Sequence, residues 1–150
     1  MNEQQMTIKA KNWTAFLMRL KQIHKDYESK LTLTPDPLEQ WEIGAKVKYA
    51  KEVLSKYSIY LRGDVANDVG KTFLNQLGDD VAAANNALAP ATSSYNNAIT
   101  MKKWAETGTR LQKDKAKYEL ENATKERRIR KAEYDVRNSI YQEFNRFRRS

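Results

Sequence analysis

The stretch Leu31-Thr32-Leu33-Thr34-Pro35-Asp36-Pro37-Leu38-Glu39-Gln40 decides the fold. Two prolines one residue apart deny the backbone helical dihedrals and amide donors, so a helix arriving from the N-terminal side stops near Leu33. The same residues begin another helix. Asp36 can accept amide hydrogen bonds as the N-cap, Pro37 suits the first turn, and Glu39 stands at the capping-box position.

Upstream of this break, Trp13, Phe16, Leu17, Leu20, Ile23, Tyr27 and Leu31 recur three and four apart and share one helix face. Downstream, Ile43, Val47, Ala50, Leu54, Tyr57 and Leu61 keep a four-three spacing that can zip against the first face. A short connection between two such helices predicts an antiparallel hairpin. Gly63 closes the second helix and Asp64 caps a third, whose stripe is Val65, Val69, Phe73, Leu77, Val81, Ala84 and Leu88. Gly70, Gly78 and several Asn lower its propensity, while Val81-Ala82-Ala83-Ala84 would let another backbone approach closely.

The segment Ala89-Pro90-Ala91-Thr92-Ser93-Ser94 reads as a linker. From about Asn96 onward there is no proline and Lys, Glu, Arg and Ala dominate, which predicts a long C-terminal helix. Gly108 can interrupt it, because Thr109-Arg110-Leu111-Gln112 forms a capping box for a restart. The expectation is therefore an all-α fold: an antiparallel N-terminal hairpin and a third helix as a body over 1–89, a linker at 90–95, and a long charged helix over 96–150 that packs on the body or on a neighbouring subunit.

Composition narrows the function classes. The 150-residue chain is long enough for one domain with a core of its own, and its Trp, Tyr and Leu content argues against general disorder. It has no cysteine, hence no disulfide framework and no thiolate metal site. The N-terminus lacks signal-peptide order and no apolar run is long enough to span a bilayer, so a cytoplasmic protein, or one packaged in a virion, is expected. Of the net charge of +8, +7 lies in residues 101–150, which hold 15 basic and 8 acidic side chains. That asymmetry concerns partners rather than fold.

In the last helix, Ile129, Ala132, Val136, Ile140, Phe144 and Phe147 make an apolar strip that must bury against something. Ile129, Val136, Ile140, Phe144 and Phe147 are the candidate contact with other subunits or with the body. Beside them, Arg127, Arg130, Tyr134, Arg137, Tyr141 and Arg148 fall within an arc of roughly 80° at 100° per residue. Arginine forks grip phosphates and carboxylates, and interleaved tyrosines can stack, so this face is the candidate site for a polyanion or an acidic protein surface. The plainer alternative is a solvated face whose arginine stems cover core edges.

Catalytic machinery is missing from the pattern. His24 is the sole histidine, so neither a histidine metal cluster nor a conventional triad can form. Gly70-Lys71-Thr72 matches the end of a P-loop, but Val65 stands where that loop needs glycine. Asp79-Asp80 reads as caps or solvated charge, and Trp13, Trp41 and Trp104 read as core anchors near helix starts. No enzyme activity, cofactor, metal or small-molecule substrate is expected. No motif is specific to a family. The combination of a helical hairpin, an Ala/Asn-rich segment and a long basic helix resembles the style of phage internal virion, ring and scaffolding proteins, which implies a structural role in an oligomer or larger assembly. The alternatives are a nucleic-acid-binding protein using the basic helix, and a protein-binding adaptor or inhibitor from a mobile element.

Overall fold

A computed structural model of the chain describes residues 10–62 and 69–149. These form four helices, α1 (Ala10–Leu33), α2 (Pro37–Arg62), α3 (Val69–Ala105) and α4 (Arg110–Arg149), and the described residues contain no strand. The readings of Gly63, Asp64 and Val65 lie outside the described residues, as do those of the side chains of Trp13, Tyr57, Leu61, Val69 and Arg148.

The break at Pro35-Asp36-Pro37 is built as its chemistry dictates. The Leu38 amide donates to Asp36 Oδ1 at 3.1 Å, and Gln40 Nε2 reaches back to the Thr34 carbonyl at 2.7 Å, which ties the two helix ends together. The α1–α2 hairpin then lies against α4. Phe16 meets Phe144, Arg19 meets Glu143, Trp41 meets Lys125 and Tyr49 meets Arg137, so α4 runs antiparallel to α1 and parallel to α2.

The expected linker at 90–95 is helix. α3 runs unbroken for 37 residues with Pro90 inside it, against the roughly 3 kcal/mol that an internal proline costs. Pro90 is exposed. Ala91 beside it is buried, as α3 packs chiefly against α4. Ala84, Ala91 and Ala98 recur every seven residues and are buried, as are Ala116 and Ala132 on α4. Such small side chains let two helices approach to about 8 Å, the close end of helix packing, so continuous contact along α4 overrides local propensity.

The break that the sequence left open at Gly108 is present, and the segments on either side of it fold back on each other. α3 ends at Ala105 and α4 starts at Arg110. In the turn between them Thr109 Oγ1 accepts from the Gln112 amide at 3.3 Å, and Gln112 Oε1 accepts from the Thr109 amide at 2.9 Å, a reciprocal capping box. A side chain at Gly108 would collide with Gln112 Oε1 and crowd the Ala105 carbonyl at 3.2 Å, so glycine is needed here for space.

All four helices contribute to one core at one end of the bundle. Phe16, Leu20, Tyr49, Ala50, Val53, Phe73, Leu77, Val136, Ile140 and Phe144 form a continuous buried cluster. At its centre Phe144 packs edge-on to Phe16 at 5.0 Å and to Phe73 at 4.7 Å between ring centroids. Such T-shaped contacts set the positive edge of one ring on the negative face of the next. The predicted α2 seam is rotated: Tyr49, Ala50 and Val53 are buried while Ile43, Val47 and Leu54 are only partly so. The cause is that α2 must serve α4 as well as α1.

Helix lengths set the shape. α1 and α2 have 24 and 26 residues, whereas α3 and α4 have 37 and 40. The α1–α2 turn sits beside Lys125, so the α3–α4 hairpin beyond Tyr95 and Ala123 projects as a two-helix arm of roughly 15 to 20 Å at 1.5 Å per residue.

Candidate interaction surfaces

The arginine-tyrosine arc on α4 does not stand free as one face. Arg127, Arg130 and Arg137 turn to internal partners. Arg130 binds Glu126 at 2.9 Å and Glu133 at 3.2 Å, and the hydrogen bond it donates to Glu126, with the charge of Glu133, raises the guanidinium pKa further. Arg137 lies over the Tyr49 ring, 4.3 Å from its centroid, and donates to the Glu133 carbonyl at 3.0 Å. Arg127 stacks over Tyr95 of α3 at 5.0 Å. Position on the arc excluded acidic neighbours, but carboxylates three and four residues away sit one turn off and reach the same guanidinium.

The arc is also divided between two clefts. Arg130 and Arg137 line one of about 300 Å³ with Ala45, Lys48, Tyr49 and Glu52 of α2. Tyr134 and Tyr141 line another of about 290 Å³ with Gly78, Val81, Ala82 and Asn85 of α3. Arg127 and the two tyrosines thus face α3, whereas Arg130 and Arg137 face α2. A polar latch fixes this geometry. Tyr49 Oη donates to Asp80 Oδ2 at 3.0 Å, and Lys56 approaches the same oxygen at 3.9 Å. Burial pushes the Tyr49 phenol well above its usual range, and the Asp80 carboxylate adds to the shift. Asp80 thus ties α3 to α2 and is not a solvated charge.

The apolar strip is used inside the chain. Val136 and Ile140 are 0% exposed and Phe144 1%, among residues of α1, α2 and α3, while Ile129 and Phe147 are partly buried. The sequence left open whether this strip meets its own chain or a neighbour; its own chain covers it, which removes the unmatched surface that had motivated a subunit contact there.

Comparison with protein-family models, with curated proteins and with solved structures gives no match. Function therefore has to be read from the surface itself. Among the described residues no three His, Cys, Asp or Glu side chains are grouped to hold a metal ion, and no helix is long and apolar enough to cross a membrane.

The arm carries most of the exposed large apolar side chains among the described residues. Met101 is 48% exposed, Trp104 71%, Leu111 79% and Tyr118 65%, and all four lie within about three helical turns of Gly108. Trp104 and Trp41 were expected to anchor the core. Trp104 instead ends α3 in the open, and Trp41 is half-exposed with Lys125 Nζ 3.2 Å from its ring centroid. Met101 and Trp104 border an open cleft of about 370 Å³ whose other wall is Gln112, Lys115, Ala116 and Glu119 of α4. The opposite side of the arm carries charge: Lys102, Glu106, Lys113, Asp114 and Lys117. The arm is thus two-sided, aromatic on one face and charged on the other. A signal for it was present in the sequence. Alanines at 84, 91, 98 and 105 mark the inner line of α3, and Trp104 lies about 100° away from that line.

Proposed function

We propose that this protein is a non-catalytic helical assembly component, in which a four-helix head holds out the α3–α4 arm as the element that docks on other protein subunits. One observation carries the reading: of the seven large apolar side chains exposed among the described residues, Met101, Trp104, Leu111 and Tyr118 lie on the projecting arm, whereas Met18, Leu33 and Trp41 lie on the α1–α2 hairpin. Scattered exposed apolar residues are ordinary, but clustering of Met101, Trp104, Leu111 and Tyr118 on a projecting element is the pattern of an interaction site. Aromatic residues held on stiff helices lose little entropy on contact, which makes them efficient anchors. A role inside a larger particle, such as a virion or a scaffold, fits this architecture.

The test is particle mass by light scattering on nuclease-treated full-length protein, at low and high salt, alone and with added nucleic acid. Mass above that of the monomer without nucleic acid supports assembly through protein contacts. A monomer at every protein concentration counts decisively against it.

A second reading, nucleic-acid binding, draws on the charged side of the arm. Residues 101–121 hold six basic and four acidic side chains, and Lys102, Lys103, Lys113 and Lys117 form no ion pair among the described residues. Mass that rises only with nucleic acid, with affinity falling steeply as salt increases, would favour it.

A further inference from the structure

We propose that the Trp104 face of the arm packs against the same face of a second copy of this chain around a two-fold axis. The inference rests on the assembly reading and names its contact. The first ground is charge. Across the cleft from Trp104 the α4 wall carries one cation and one anion, Lys115 and Glu119, a helical turn apart. A face with no net charge does not call for a strongly acidic or basic partner. In an antiparallel two-fold arrangement centred between them, Lys115 of each copy stands opposite Glu119 of the other, so the pattern complements itself.

The second ground is area. On α4, Leu111, Lys115, Tyr118 and Glu119 lie within an arc of about 100°, which continues the Met101–Trp104 face around the edge of the arm. Four large apolar side chains, exposed by half to four-fifths, present on the order of 500 Å² per copy. Two copies would bury about 1,000 Å², the lower bound for a specific interface before flanking lysine and glutamine stems are added. The contact is therefore reversible. The indole, the largest of the four, is its anchor, and the cleft of about 370 Å³ offers the facing indole a recess between the helices.

The third ground is a salt dependence that separates this contact from polyanion binding. Two copies at +8 each repel at long range, and added salt screens that repulsion over a Debye length of about 10 Å or less. Apolar self-association is thus maintained or strengthened by salt, whereas phosphate binding is weakened.

Sedimentation equilibrium of the full chain, from about 1 μM to about 1 mM, spans the range in which an interface of this size dissociates. A monomer–dimer equilibrium is expected, with a dimer fraction at high salt equal to or above that at low salt. Trp104→Lys should raise the dissociation constant at least about tenfold. Lys115→Glu and Glu119→Lys should each raise it about threefold, and the two together should restore it to within about twofold, an outcome that only reciprocal pairing produces. All three positions are outside the core, so far-UV circular dichroism should stay at the wild-type value. Association that Trp104→Lys leaves unchanged overturns this contact and keeps the assembly reading. A wild-type monomer throughout overturns both.

Discussion

Phe144→Ala tests whether the strip on α4 is the core of a single chain. The side chain is 1% exposed and touches Phe16 and Phe73 edge-on, so its removal loses apolar burial, two ring contacts and leaves a cavity. Substitutions of this kind cost about 3 to 5 kcal/mol. The upper part of that range applies, because four helices surround the site and collapse of one is resisted by the other three. At about 2 to 4 °C per kcal/mol for a domain of this size, the midpoint should fall by roughly 8 to 20 °C. Since domains have only about 5 to 15 kcal/mol of stability, the loss is best measured by urea titration followed by far-UV circular dichroism, with Phe144→Leu as a milder companion. The decisive feature is concentration. Burial within one chain makes the loss independent of protein concentration, whereas burial between subunits ties stability to mass action. A loss below about 1 kcal/mol, or a loss that changes with protein concentration in the dilute range where the chain is monomeric, would refute the enclosed core.

Three further outcomes follow from the same geometry. The native state keeps the Tyr49 proton to higher pH than the unfolded chain does, so its contribution to stability is full below the ordinary tyrosine pKa near 10 and is lost as pH rises above it. Between pH 10 and 12, Tyr49→Phe should remove up to about 1.4 kcal/mol per pH unit of the alkaline slope in urea titrations; an unaltered slope would show that another group sets it. In the α3–α4 turn, Thr109→Ala and Gln112→Ala should each cost about 1 kcal/mol, and the double variant less than their sum, because either change breaks the same reciprocal box. Ala98→Leu should cost about 1 to 3 kcal/mol by wedging the alanine contact between α3 and α4, while the exposed Ala82→Leu should stay within about 0.5 kcal/mol; equal effects at the two positions would mean that the helices do not pack closely.

The α1–α2 break and the restart at Thr109 were legible because they are local. A proline, a capping oxygen and an amide three residues away lie within one turn, so sequence spacing is spatial distance there. The same holds for the apolar faces of α1 and of α4, whose need for burial follows from helical periodicity alone. Surface roles were less legible. Arg127, Arg130 and Arg137 share an arc on an isolated helix, yet Tyr95 of α3 and Tyr49 of α2 lie under Arg127 and Arg137 once those helices arrive. Trp104 looked like a core anchor because it is large and apolar, and only the inward line of alanines shows that it points outward.

The amino-acid order by itself determined that this chain is helical, where its first hairpin turns, where a helix could restart after Gly108, and which residues of α4 must leave water. Tertiary structure alone decided that α3 continues through Pro90, that Phe144 meets Phe16 and Phe73 of its own chain, and that the aromatic surface is at the end of the arm. The division has one physical cause. Capping, proline geometry and helical periodicity act over a few residues, whereas the close approach of α3 and α4 and the enclosure of the core join groups tens of residues apart, whose free energy exists only after the helices have packed.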